Sequence, residues 1–193
     1  NGLSVYAGEI PQMTLENGFT WAFWGNQDAA LAGNNHIVLG NRYNAEGVDF
    51  APRQFTKFTP TKFEWHANGG NAGNLSYSAP MVGGEWTHHA LIKDANQITY
   101  YRDGGKDAQG IITLGLDFPM PLYFGGDGNG RAGENWMGMM ADVRLFTAAL
   151  TPVQLADVVP VVIDDFEGDP NLPDWTIDDA NAVAVAVDPL DPN

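Results

Sequence analysis

Three short clusters hold the side chains best equipped for ligand chemistry. Residues 41–44, Asn-Arg-Tyr-Asn, set a guanidinium and a phenol between two amides. Residues 127–135, Asp-Gly-Asn-Gly-Arg-Ala-Gly-Glu-Asn, mount carboxylates, amides and a guanidinium on a glycine-rich backbone. Residues 62–66, Lys-Phe-Glu-Trp-His, alternate polar and aromatic groups. Aromatic rings stack on the apolar faces of sugars, and planar amide, carboxylate and guanidinium groups bond their hydroxyls. On this chemistry Arg42, Tyr43, Asp127, Asn129 and Arg131 are candidate ligand contacts. The competing reading is that both loops simply connect strands. In the third cluster Phe63 and Trp65 share a face and read as core, which leaves Lys62, Glu64 and His66 on the other. If that outward face takes the ligand, Glu64 and His66 are contacts; in the opposite register Trp65 becomes the stacking platform.

Other chemistries find less support. Asp127-Gly128-Asn129-Gly130 superficially resembles the start of a calcium loop, but Arg131 stands at the next ligand position. His88 and His89 are adjacent on a strand and point to opposite faces, so they are no metal pair. The chain has no cysteine, hence neither a disulfide framework nor a thiolate site. No Ser/His/Asp grouping emerges from spacing. Asn74-Leu75-Ser76 is an acceptor sequon, a tripeptide common by chance.

The elements that must position these clusters are strands. In residues 84–104, Trp86, His88, Ala90 and Ile92 alternate against Thr87, His89, Leu91 and Lys93. Asp94-Ala95-Asn96 makes a turn, residues 98–101 are β-branched and aromatic, and Asp103-Gly104-Gly105 ends the run: a hairpin. Further strands are expected at 3–6, 19–24, 36–40, 48–50, 62–67, 75–78, 111–114, 122–124 and 137–146. Glycine (23) and proline (12) punctuate them at short intervals, the pattern of an all-β, two-sheet antiparallel β-sandwich or jelly roll. One short helix is expected at 151–156, where Thr151 can cap and Pro152 opens the first turn.

Charge and composition bound the partners. Asp and Glu number 24 against 9 Lys and Arg, a formal net charge of −15. Such a surface repels nucleic acid and anionic lipid, and it disfavours strongly anionic polysaccharides. It suits an extracellular or cell-surface setting and makes calcium plausible, although solubility alone also accounts for many carboxylates. No apolar run is long enough to span a bilayer, no leader pattern opens the chain, and the first residue reads as a mature or engineered start. Residues 1–158 are expected to form the sandwich. Residues 159–193 turn acidic and Asp-Pro-rich, with Val-Val-Ile-Asp-Asp-Phe at 161–166. They read as a linker and the opening strands of a neighbouring module, or as an added strand of the sandwich.

Four motifs in order carry a family resemblance: Phe19-Thr20-Trp21-Ala22-Phe23-Trp24, the hairpin from Trp86 to Gly104, Gly125-Gly126-Asp127 with Trp136-Met137-Gly138 and Ala141-Asp142-Val143-Arg144-Leu145-Phe146, and Ala149-Leu150-Thr151 leading to Leu155. Over residues 1–158 the chain resembles a laminin G-like, concanavalin A-type lectin/glucanase domain of bacterial multidomain proteins. The resemblance implies the sandwich fold and places Trp24, Trp86 and Trp136 in packing, with Trp21, of opposite parity to Trp24, open to either role. The chain departs from the pattern twice. A strand usually preceding residues 3–6 is missing, a vacancy that 161–166 could fill, and His89 stands where an apolar residue is usual, so the core must satisfy an imidazole.

The fold hosts lectins, glucanases and adhesion modules, so the resemblance alone does not fix function. Retaining glucanases of this fold share a Glu-x-Asp-x-(x)-Glu strand that sets nucleophile and acid on one face. It is absent here: residues 46–49 have the wrong spacing and 164–167 lie in the tail. The motifs of alginate lyases are missing as well. A non-catalytic carbohydrate-binding module of a larger extracellular protein follows, with an adhesion or architectural module as the alternative. Asp142 matches the family's terminal-strand Asp, which implies a structural calcium completed by backbone carbonyls; capping a loop and pairing near Arg144 are the competing roles.

Overall fold

Strict period-two alternation along β-branched and aromatic segments builds strands whose two faces differ, and two such sheets close on one another. The computed structural model describes residues 5–10, 18–30, 36–43, 49–67, 70–79, 81–111, 120–126 and 134–158. Eleven strands are described: β1 (Val5–Ile10), β2 (Phe19–Gln27), β3 (His36–Tyr43), β4 (Asp49–Phe58), β5 (Lys62–Ala67), β6 (Gly70–Ser76), β7 (Trp86–Asp94), β8 (Gln97–Arg102), β9 (Gly105–Ile111), β10 (Met120–Phe124) and β11 (Gly138–Phe146). One helix, α1 (Pro152–Ala156), follows. The first sheet runs β1-β10-β3-β4-β5-β6 and the second β11-β2-β7-β8-β9, all pairings antiparallel.

The core lies between the sheets. Phe19, Trp21 and Phe23 of β2, Leu91 of β7, and Ile98 and Tyr100 of β8 meet Val38 and Leu39 of β3, Phe58 of β4, and Phe63 and Trp65 of β5. Trp136 completes the cluster. His89 is fully buried among them; its Nδ1 lies 2.7 Å from the Tyr100 hydroxyl, and its ring packs on Phe23 and Phe58. The core therefore satisfies one imidazole nitrogen, while Nε2 has no partner. Gly25 makes the room, since a Cβ there would sit 3.3 Å from both His89 and Trp136.

The 84–104 hairpin forms in the expected register, with Asp94 opposite Gln97 and Ala95 at φ 47°. Asp103 and Gly104, at φ 49° and 76°, turn the chain into β9. The helix is capped as expected: Thr151 accepts from the Gln154 amide, and the Gln154 side chain bonds back to the Thr151 amide. Its Leu155 covers Ala22, Ala90 and Ile92 on the outer face of the second sheet.

Three expectations are corrected and one lies outside the described residues. β4 runs to Phe58 instead of ending near residue 50; β9, at Gly105–Ile111, was not expected, and of the strand expected at 111–114 only Ile111 is described. Trp24 faces outward against His88, at 5.2 Å between ring centroids, while Trp21 is the core residue at 2 % exposure. Parity decides this, because Phe19, Trp21 and Phe23 share the inner face. Trp86 is 39 % exposed, because it lies on the outer face beyond the reach of α1. Trp65 and Trp136 are core, as expected.

Candidate functional site

The outer face of the first sheet gathers several of the sequence candidates. On β5, Phe63 and Trp65 point inward, so Glu64 and His66 point out, as the alternation required. On β4, Phe58 points inward, so Phe55 and Lys57 share the face with them. Pairing makes two rows across the strands: Ile37–Lys57–Glu64, and Gly40–Phe55–His66. Phe55 is only 2 % exposed, and the His66 ring lies flat on it at 4.5 Å and 6°. His66 Nε2 is 2.8 Å from Glu64 Oε2. Lys57 Nζ donates to Glu134 Oε1 at 2.7 Å.

Electrostatics follow from these contacts. The His66 hydrogen bond draws the Glu64 carboxyl below its ordinary range against the opposing effect of burial, helped by the charges of His66, Lys57 and Lys62. Glu64 is therefore held ionised, an acceptor for hydroxyl or N–H donors and a poor proton donor. A stacked imidazole, a carboxylate and a carboxylate-paired ammonium supply hydrogen-bonding groups in fixed positions on a partly dry apolar floor.

The residues flanking 127–133 are bonded to β3: Gly125 N–H donates to the Val38 carbonyl at 2.8 Å, and Ile37 N–H to the Glu134 carbonyl at 2.6 Å. Asp127, Asn129 and Arg131 themselves lie outside the described residues. Arg42 and Tyr43 are the last residues of β3, with Tyr43 opposite Asp49, so they belong to a strand and not to a loop. They follow Gly40, hence they lie at the end of β3 nearest the Phe55–His66 row.

Sequence reasoning missed Phe55, Lys57 and the role of Glu134. Residues 54–58, Gln-Phe-Thr-Lys-Phe, give no clean alternation, because Phe55 and Phe58 fall on opposite faces, and Pro52 interrupts the run before them. Among the described residues the β5 pairing begins only at Gln54, so no described residue pairs with Pro52 on that side.

Asp142 lies elsewhere, in a bulge of β11 between Ala141 and Arg144, at φ 45°. Its Oδ1 accepts from Arg144 Nε at 2.6 Å. Among the described residues no group of three or more His, Asp or Glu side chains gathers. Among the described residues, an ion at Asp142 would draw its other ligands largely from backbone carbonyls. A second polar corner, at Ser78, Arg102, Gly105, Lys106 and Asp107, lines a shallow cavity of about 180 Å³. Arg102 and Asp107 pair there, and Asp107 Oδ1 accepts from Ser78 N–H at 2.7 Å. These bonds fasten β9 to the segment after β6, a structural use of both charges.

The chain belongs to the concanavalin A-like lectin/glucanases superfamily, whose laminin G-type model matches residues 3–156. A search of curated protein sequences gives no match. Among solved structures, domain 4 of an extracellular arabinanase from Geobacillus stearothermophilus, in complex with arabinotriose, superposes with a TM-score of 0.60 at 15% identity, over 83% of this chain and 82% of that one. A heptameric SAP-like pentraxin from Limulus polyphemus gives 0.58 at 14% identity, over 81% and 75% of the two chains. A putative carbohydrate binding protein from Bacteroides ovatus gives 0.57 at 19% identity, over 80% of this chain and 46% of that one. A Trypanosoma rangeli sialidase superposes with a TM-score of 0.53 at 16% identity, over 72% of this chain but only 22% of that one.

Proposed function

We propose that this member of the concanavalin A-like superfamily is a non-catalytic, lectin-like module that binds a neutral glycan on the outer face of its first sheet. The observation that carries the reading is the cluster on Phe55: Glu64 and His66 locked together, with Lys57 and Glu134 beside them. An acidic surface of net charge −15 selects against polyanionic chains. Glu64, held ionised, is unsuited to the acid role that glycoside cleavage requires. The arabinotriose complex of the arabinanase domain and the carbohydrate-binding relative support glycan as the ligand class. An extracellular or cell-surface setting, in a longer chain with neighbouring domains, belongs to the same proposal. Among the described residues no helix is long and apolar enough to cross a membrane.

Arg42, Tyr43, Asp127, Asn129 and Arg131 extend the proposed site along the end of β3 and the segment whose flanking residues bond to β3. Calcium at Asp142 remains part of the proposal as a structural ion; Asp142→Asn should then abolish any stabilisation by calcium. The deciding experiment is binding to a broad glycan panel, with calcium and with chelator, for the parent and for Glu64→Ala and His66→Ala. Loss of a hydrogen bond to a charged group costs about 1.5–3 kcal/mol, so each variant should bind about tenfold more weakly or worse. Unchanged affinity in both removes this face from the site. An adhesion module is the second reading, favoured by Val5 and Tyr6 of β1 and Met139 of β11, which leave 52%, 57% and 56% of their surface exposed. Absence of binding across the panel would favour it.

A further inference from the structure

Residues 134–138 form a strap from one sheet to the other. At its head Ile37 N–H of β3 donates to the Glu134 carbonyl at 2.6 Å, and Trp136 N–H to the Gly125 carbonyl at 2.9 Å. At its foot Asp28 N–H donates to the Met137 carbonyl at 2.8 Å, and Gly138 pairs with Gln27 of β2. Midway, Trp136 lies against Phe58 of the first sheet, at 5.8 Å between ring centroids, and over Gly25 of the second.

Two buried polar side chains border this strap from opposite sheets. His36 pairs with Phe58, so it faces inward; it is 3 % exposed and meets the Trp136 ring edge-on at 6.1 Å. Its Nδ1 is 2.7 Å from the Asn135 carbonyl. A carbonyl only accepts, so Nδ1 carries the proton and, in the neutral ring, Nε2 is left as an acceptor. Gln27 shares the inner face of β2 with Trp21 and Phe23 and is 2 % exposed. Among the described residues, neither His36 Nε2 nor either polar atom of the Gln27 amide has a hydrogen-bond partner. Leaving buried polar groups unbonded is costly, and such groups nearly always find a protein or water partner.

A common partner must donate to the imidazole lone pair and bond an amide as well. It must also be small: a Cβ at Gly25 would sit 3.3 Å from the Trp136 ring, and one at Gly138 2.9 Å from Gln27 Cα. Water, with two donors and two acceptors, meets both conditions. We propose that His36 and Gln27 hold a buried structural water, which donates to His36 Nε2, bonds the Gln27 amide, and fastens the strap between the sheets. Glu134, the partner of Lys57, stands at the head of that strap. The proposal is independent of the glycan reading.

NOE and ROE spectra of the full chain test it. Water cross-peaks should reach Hε1 and Hδ2 of His36, the carbon-bound protons flanking Nε2. Their signs should be opposite in the two spectra, the mark of a water that tumbles with the protein. Gln27→Leu should lose these cross-peaks and lower Tm by about 2–4 °C, because the water and His36 lose a partner. In a dry site the same change removes an unbonded amide and raises Tm instead. Absence of water cross-peaks in the parent overturns the proposal, whether or not the variant folds. A scalar coupling across a direct Gln27–His36 hydrogen bond would overturn it too. Unchanged cross-peaks, or a raised Tm, in folded Gln27→Leu would likewise refute it.

Discussion

Acid should unfold this domain earlier than its carboxylates alone require, because two buried histidines must stay neutral. His88 is 1 % exposed; burial holds its imidazole down to about 4, against the opposing pull of Asp103 and Asp142 and with help from Arg144. His89 is buried completely and lies well below its ordinary value, first through burial, then through the charges of His88 and Arg102. In the unfolded chain both protonate near 6.5. As pH falls below 6.5 the unfolded state therefore takes up protons that the folded state refuses. The stability they contribute is complete above that pH and is lost on the way down to the folded values. For His88 the gap from 6.5 to about 4, at about 1.36 kcal/mol per pH unit, amounts to about 3 kcal/mol. His89 adds to it in the same direction. With both histidines active, urea titrations followed by tryptophan emission should give a limiting slope of about 2.7 kcal/mol per pH unit below pH 6. His88→Gln should halve it. The Glu64 carboxyl, lowered in the fold, loses its contribution only as pH falls below about 4.5, so the window from 6.5 to 4.5 isolates the histidines. A flat stability profile across that window, or a slope indifferent to His88→Gln, would refute the reasoning.

Further outcomes can be read from the same unfolding assay. Tyr100→Phe strands the buried His89 Nδ1 and should cost about 1–3 kcal/mol, whereas His89→Leu combined with Tyr100→Phe removes both partners and should recover much of the loss. Additive effects in that cycle would mean that the bond contributes nothing. Arg102→Leu leaves Asp107, whose side chain is 3 % exposed, without its cation; about 3–5 kcal/mol should be lost, lowering Tm by roughly 10 °C. A shift of only a degree or two would show that the Ser78 amide suffices. Thr151→Ala dismantles the capping box and should cost about 1 kcal/mol without altering glycan affinity; a change in affinity would mean that the helix communicates with the opposite sheet.

What the sequence disclosed and what it concealed divide along one physical line. Features set by neighbours in sequence were legible: the β7–β8 hairpin from alternation and its Asp-Gly corner, the helix from Thr151 and Pro152, and the outward direction of Glu64 and His66 from the inward Phe63 and Trp65. Features set by partners far along the chain were not. Lys57 meets Glu134 across 77 positions, and only the pairing of β3 with β4, and of residues 134–135 with Ile37, brings them together. Trp86 shows the same limit from the other side. Its face was read correctly, together with Ala90 and Ile92, yet its exposure depends on where α1 comes to rest. Trp24 went astray for another reason, because position in a family pattern outweighed parity with Phe19, Trp21 and Phe23. Local alternation assigns a side chain to a face, but only long-range register decides which faces are covered and which groups stand side by side. Because a recognition site on an open sheet consists of that adjacency, the residues of such a site can be found from sequence before their arrangement can.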